Sequence, residues 1–123
     1  MVGIPMDEMS EREAMAVFSA LGDPTRLELM RVLGEGDGAS ATELAVRLPI
    51  TRQAVAKQIA VLEEAGLVVR GHRGRAVVYR VEPEVMTEAA DWLLRASVAW
   101  DVRLAGLGSA LGAALGAVVR GED

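Results

Sequence analysis

Cysteine is absent from this chain, and histidine occurs once, at position 72. Without a thiol there is no disulfide framework, no thiolate metal site and no cysteine nucleophile. With one imidazole there is no His pair for general acid–base work or for zinc. Aromatic side chains are scarce too: two Trp, one Tyr and one Phe. The longest uncharged run, residues 104–119, is 16 residues long and holds four glycines, short and weak for a membrane span. The opening "MVGIPMDEMSE" has neither the basic nor the apolar stretch of a secretory leader, so the expected compartment is the cytoplasm. "GEGDGA" and "GLGSALGAALG" are glycine-rich, but no strand precedes either and no Lys follows at the required place, so neither is a phosphate loop. Glu63 and Glu64 are adjacent and diverge on a helix, so they form no catalytic pair. Neither an enzyme nor a cofactor is expected.

What is present suits one domain spanning residues 1–123: half the residues are apolar (51%) and a quarter charged (25%). The net charge is −5, which taken globally argues against a polyanionic partner. Its distribution argues the other way. Residues 47–80 hold seven Arg or Lys against two acids, and the remainder holds six basic and 16 acidic residues. A basic middle inside an acidic chain is a local electrostatic footprint, although a solvated surface can fluctuate this far by chance.

The chain punctuates itself. Ser10 with Glu13 forms a capping box before a first helix to about Leu21. Asp23 and Pro24 supply an N-cap and a first helical residue, and Gly34 stops that second helix. Residues 34–39 read as a loop. Ser40 and Glu43 form another box before a short third helix to about Leu48, which Pro49 interrupts. Thr51 caps a fourth helix that Gly66 ends. The period then changes from helix to strand. "LVVRGHRGRAVVYRV" (67–81) predicts a hairpin, with Val77 and Tyr79 alternating with Val78 and Arg80, and with Gly71 and Gly74 at a tight tip. From Pro83 a long helix follows. Met86, Ala90, Leu93, Trp100, Leu104, Leu107, Leu111 and Val118 recur at alternating steps of three and four, with Ser97 and Ala114 filling the gaps, an a/d seam.

Helix, helix, short helix, helix, hairpin, long helix is the order of a winged helix-turn-helix, mainly α with a two-stranded β wing. Residues 10–82 form the core and residues 83–119 a C-terminal dimerisation helix. In such a unit the helix after the turn enters the DNA major groove by its N-terminal end. Thr51, Arg52, Gln53, Ala56, Lys57 and Gln58 occupy that end. Gln can pair with adenine, and Arg or Lys with guanine. Val55, Ile59 and Leu62 make the opposite, core-facing stripe. Glu63 and Glu64 sit at the far end, where phosphate would repel them. Arg70, Arg73, Arg75 and Arg80 fit a wing on phosphates or in the minor groove. The bland alternatives are an ordinary solvated helix and a solvated basic hairpin.

"FSALGDPTRLELMRVL", "TELAVRLPITRQAVAKQIAVLEEAGLV" and "GRAVVYRV" together resemble the ArsR-type family of bacterial repressors over roughly residues 15–82. The resemblance implies a homodimer on a palindromic operator, with the first and last helices at the interface. Leu93, Trp100, Leu104 and Leu107 are the expected interface residues, though intramolecular core suits Trp92 or Trp100 alone equally well. The family's name-giving members sense metals through Cys pairs on the third helix or His and Asp clusters on the last. Here the third helix reads "TELAVRL", the only His lies in the wing, and Asp91 and Asp101 are ten apart. The resemblance is therefore to a metal-independent branch. The expected partners are double-stranded DNA and a second copy of the chain, with no membrane and no metal. The alternatives are a protein-interaction module, or a regulator sensing a small ligand at the dimer interface.

Overall fold

The computed structural model describes residues 8–119, except for the side chains of residues 100–104, 107–111 and 113–119. Its order is α1 (Glu11–Leu21), α2 (Pro24–Leu33), α3 (Ala41–Arg47), α4 (Arg52–Glu64), β1 (Val68–Arg73), β2 (Ala76–Val81) and α5 (Pro83–Val119). This is a winged helix-turn-helix, as the sequence predicts.

The helices begin where hydroxyls and carboxylates satisfy their orphan N–H groups. Glu13 N–H donates to Ser10 Oγ at 3.0 Å, and Ser10 N–H donates back to the Glu13 carboxylate at 2.8 Å. Ser40 and Glu43 repeat the arrangement at α3. The Ser10 and Ser40 N–H groups hold the carboxyls of Glu13 and Glu43 below the usual range. Asp23 caps α2 through Arg26 N–H, with Pro24 at the first turn. Thr51 caps α4 through Ala54 N–H. Gly66, at φ +80°, turns the chain out of α4 in the left-handed region. Gly34 ends α2 at φ −72°, so that stop needs no glycine conformation.

One core joins the elements of residues 8–90. Val17 of α1, Leu29 of α2, Leu44 of α3, the stripe Val55–Ile59–Leu62 of α4, and Leu67 and Val78 beside or in the wing are at most 1% exposed. Burying such a set is the main favourable term for a domain of this size. Truncating one fully buried member, such as Leu62→Ala, costs about 2–5 kcal/mol.

The wing departs from its expected pattern in two places. β1 and β2 pair antiparallel from Val68↔Val81 to Arg73↔Ala76. Only Gly74, at φ +63°, makes the tip. Gly71 lies within β1 opposite Val78. Alternation also fails, because Val78 and Tyr79 are both buried. The cause is a third backbone partner. Ala39 N–H donates to the Tyr79 carbonyl at 3.1 Å, and Tyr79 N–H donates to the Ala39 carbonyl at 2.9 Å. The loop 34–40 thus docks on the outer edge of β2. It can do so because Gly38 sits at φ +116°, where a Cβ would lie 3.0 Å from the Tyr79 carbonyl oxygen.

The chain divides into two compact units, residues 1–90 and 91–123, with α5 beginning in the first and continuing in the second. In the first unit Ala89 is buried and Val85 half-buried, while Met86 and Ala90, the expected seam positions, are exposed. In the second, Leu93, Leu94 and Val98 are 53%, 65% and 61% exposed. The helix runs through the glycine-rich segment, and a Cβ at Gly106 or Gly112 would meet nothing within 4 Å. The side chains of Trp100, Leu104 and Leu107, predicted for the interface, lie outside the described residues.

Candidate nucleic-acid interface

The core stripe of α4 dictates what its other face presents. With Val55, Ile59 and Leu62 fully buried, Gln53, Ala56, Lys57 and Ala60 are exposed. α3 and α4 are joined by a tight turn in which Ile50 N–H donates to the Leu48 carbonyl and Leu48 is buried. That turn leaves Thr51 and Arg52 at the exposed entry of α4. Among the described residues, the side chains of Arg52, Gln53 and Lys57 make no hydrogen bond or ion pair. Their donors and acceptors are free for a ligand. The alanines between them let a polymer backbone approach closely.

Two predicted contact residues are also engaged within the protein. Gln58 is half-buried, and its Oε1 accepts from Arg26 Nη1 at 2.9 Å. Arg70 is held from both sides. Its Nε and Nη2 donate to the two Glu63 carboxylate oxygens at 2.8 and 2.9 Å, and its guanidinium lies 5.7 Å from the centre of the Tyr79 ring. The fork geometry holds the Glu63 carboxyl below its usual range and raises the Arg70 pKa further. The far-end acid is therefore an anchor for the wing.

The other wing arginines form a graded set. Arg80 donates from Nε to the Asp37 carbonyl at 2.7 Å and pins the loop. Arg73 is loosely tethered, to the Gly38 carbonyl at 3.4 Å and to Glu43 at 3.8 Å. Arg75, beside the tip, has no such partner among the described residues. Arg47 is paired with Glu35, which also holds Arg31. Of the seven cations between residues 47 and 80, Arg52, Lys57 and Arg75 are fully available, with Arg73 close behind. Arg52 and Arg75 meet on one cleft of about 360 Å³, lined also by Arg70, Ser40, Thr42 and Tyr79. Two of its three guanidiniums, those of Arg52 and Arg75, are unpaired, so the cleft presents positive charge.

A helix-turn-helix domain family matches residues 21–70. The HTH-type transcriptional regulator YuzN of Bacillus subtilis is 42% identical over 76 residues, covering 55% of this chain and 83% of its own length. The transcriptional repressor SdpR of the same organism is 26% identical over 78 residues, 63% of this chain and 86% of its own. An ArsR-like transcriptional regulator from Rhodococcus sp. RHA1 superposes with a TM-score of 0.73 at 40% identity, over 80% of this chain and 92% of that one. The chain belongs to the ArsR-type family. It is a winged helix-turn-helix transcriptional regulator, a DNA-binding protein and not an enzyme.

A thiolate or imidazole metal site needs Cys or His donors. Here there is no thiol, and no group of three or more His, Asp or Glu among the described residues could hold an ion. His72 is exposed on β1. The residues present do not fit a thiolate or imidazole metal site. No helix among the described residues is long and apolar enough to cross a membrane.

Sequence reasoning missed Arg26, Glu63 and the Asp37–Ala39 loop as parts of this site. Arg26 sits inside the quoted "DPTR", but its partner lies 32 residues away. Spacing along one helix carries no signal for such a contact.

Proposed function

We propose that this ArsR-type protein is a homodimeric repressor that reads a near-palindromic operator and does not respond to metal, acting in the cytoplasm. Residues 10–82 are the DNA-binding core and residues 83–119 supply the dimer contact. Thr51, Arg52, Gln53, Ala56 and Lys57 enter the major groove, and Arg73 and Arg75 contact phosphates. Gln58 and Arg70 support these groups from behind. The observation that carries the reading is the unpartnered Gln53–Lys57 face of α4, standing beside the free guanidiniums of Arg52 and Arg75. Exposed Leu93, Leu94 and Val98 support the dimer, since a row of apolar side chains favours a covered state. A two-fold pair would set two recognition helices about one DNA turn apart, which makes the operator a near-palindrome.

The test is fluorescence anisotropy on a duplex selected from a random pool, against a scrambled duplex. Gln53→Ala should cost about 1–3 kcal/mol on the selected duplex and little on the scrambled one. Arg75→Ala should weaken both alike and flatten the salt dependence. Equal behaviour of Gln53→Ala and the parent on every duplex refutes the groove assignment. Binding that ignores salt and sequence would favour a protein-interaction module instead.

A second reading has its own observation. A mainly apolar groove of about 510 Å³ opens between Leu21, Leu27, Met30, Val81 and Met86, lined also by Glu28 and Arg31. It suits a small apolar effector, whose presence would be read as a shift in operator affinity.

A further inference from the structure

We propose that Arg26 is a positioning residue that sets the rotation of α4 about its axis, and that Gln58 receives it rather than reading a base. The specificity arm of this inference rests on the DNA-binding reading above. The contact itself does not.

α1 carries no basic residue in its last turn. Its C-terminal carbonyls therefore lack the cation that usually complements a helix end. Arg26 of α2 supplies one. Its Nε donates to the Ala20 carbonyl at 2.6 Å and its Nη2 to the Ser19 carbonyl at 3.4 Å. The backbone of Arg26 is itself held, because its N–H donates to the Asp23 cap at 3.1 Å. The stem of the side chain is thus fixed by one helix start and its head by another helix end. The remaining arm, Nη1, reaches Gln58 Oε1 at 2.9 Å.

A guanidinium is planar, and its donors leave it in fixed directions. Two arms on α1 therefore dictate where the third must point. Gln58 follows Lys57 directly on α4. One residue is about 100° of helix rotation, so a helix held at Gln58 has a set direction for Lys57 and Gln53. The apolar stripe turns α4 inward but is a non-directional contact, whereas a hydrogen bond has a preferred direction. Arg26 adds that directional restraint at Gln58. Three helices, α1, α2 and α4, are tied on one side chain, and the base-facing groups of α4 are aimed by it.

Two measurements on the full chain test this. In the free protein, ¹⁵N NMR should show hindered rotation of the Arg26 guanidinium, and Gln58→Ala should speed solvent exchange of its Nη1 protons while Nε stays protected on Ala20. A freely rotating Arg26 head in the parent overturns the clamp, whatever DNA does. On DNA, Arg26→Lys keeps the charge and loses the fork. Arg26→Lys and Gln58→Ala should each lower the preference for the selected over the scrambled duplex about tenfold, the scale of one charge-assisted hydrogen bond. Affinity for the scrambled duplex should not move, which a merely unfolded fraction could not mimic. The double variant should be no worse than either single one. Gln58→Glu keeps an acceptor and should retain the preference while weakening binding to both duplexes. Additive losses, or a loss in Gln58→Ala alone confined to one base position, would make Gln58 a base reader and overturn the proposal. If the parent prefers no duplex, the operator reading fails, and the guanidinium rotation alone judges the clamp.

Discussion

Releasing Arg70 from Glu63 should convert a structural cation into a DNA-binding one. Both Arg70 nitrogens that face Glu63 are engaged by its carboxylate, while the Arg70 side chain remains 58% exposed at the edge of the Arg52–Arg75 cleft. In Glu63→Gln the amide offers one acceptor and no charge, so only the Tyr79 ring still holds the guanidinium and it can turn to phosphate. Each added phosphate contact steepens the dependence of log K on log salt by about 0.9 on B-DNA. Over a fourfold change in salt, that is an extra factor of roughly three in affinity. The variant should therefore bind scrambled duplex more tightly than the parent at low salt and lose the advantage as salt rises. Arg70→Ala in the parent background should leave the salt slope unchanged. The fold should tolerate either change, since a pair that is more than half exposed on the Arg70 side adds only modestly to stability. The pH behaviour follows with a definite sign. Arg70 holds the Glu63 carboxyl below its unfolded value, so the pair's contribution is complete above the ordinary carboxylate range. It is lost as pH falls through the depressed folded value. Anisotropy titrations at four salt concentrations read the slope. An Arg70→Ala slope flattened by about one unit would show that Arg70 already contacts phosphate, and would refute the reasoning.

Gly38→Ala should destabilise the protein by about 1–3 kcal/mol, because a Cβ at φ +116° is strained and meets both Tyr79 and Arg80 at 3.0 Å; an unchanged denaturation midpoint would show that the loop does not depend on this contact. Operator affinity should be the same with chelator as with micromolar zinc, cobalt or nickel, and a reversible tenfold change with one metal at stoichiometric amounts would sink the metal-independent reading. Trp100→Glu should sediment as a monomer that loses operator binding, whereas a chain ending after Leu107 should remain a dimer. A dimeric Trp100→Glu would refute the seam, and a monomeric truncation would move the interface into the glycine segment.

Periodicity and capping chemistry are local, and local patterns determined the elements of this protein. Ser10–Glu13 and Ser40–Glu43 place two helix starts because each box closes within four residues. The Val55–Ile59–Leu62 stripe assigns the buried face of α4, and with it the exposed face, because a helix has only one core side. The cluster of cations between residues 47 and 80 was equally legible. Which of those cations are available was decided by tertiary structure alone. Glu63 is seven residues from Arg70, Asp37 is 43 from Arg80, and Arg26 is 32 from Gln58. Each of these contacts exists because separate helices, strands and a loop pack side by side. The same holds for Tyr79, which reads as one residue of an alternating strand. It is buried because the loop at Ala39 pairs with its backbone and Arg70 covers its ring. A sequence lists charges, but only packing determines which of them are already neutralised.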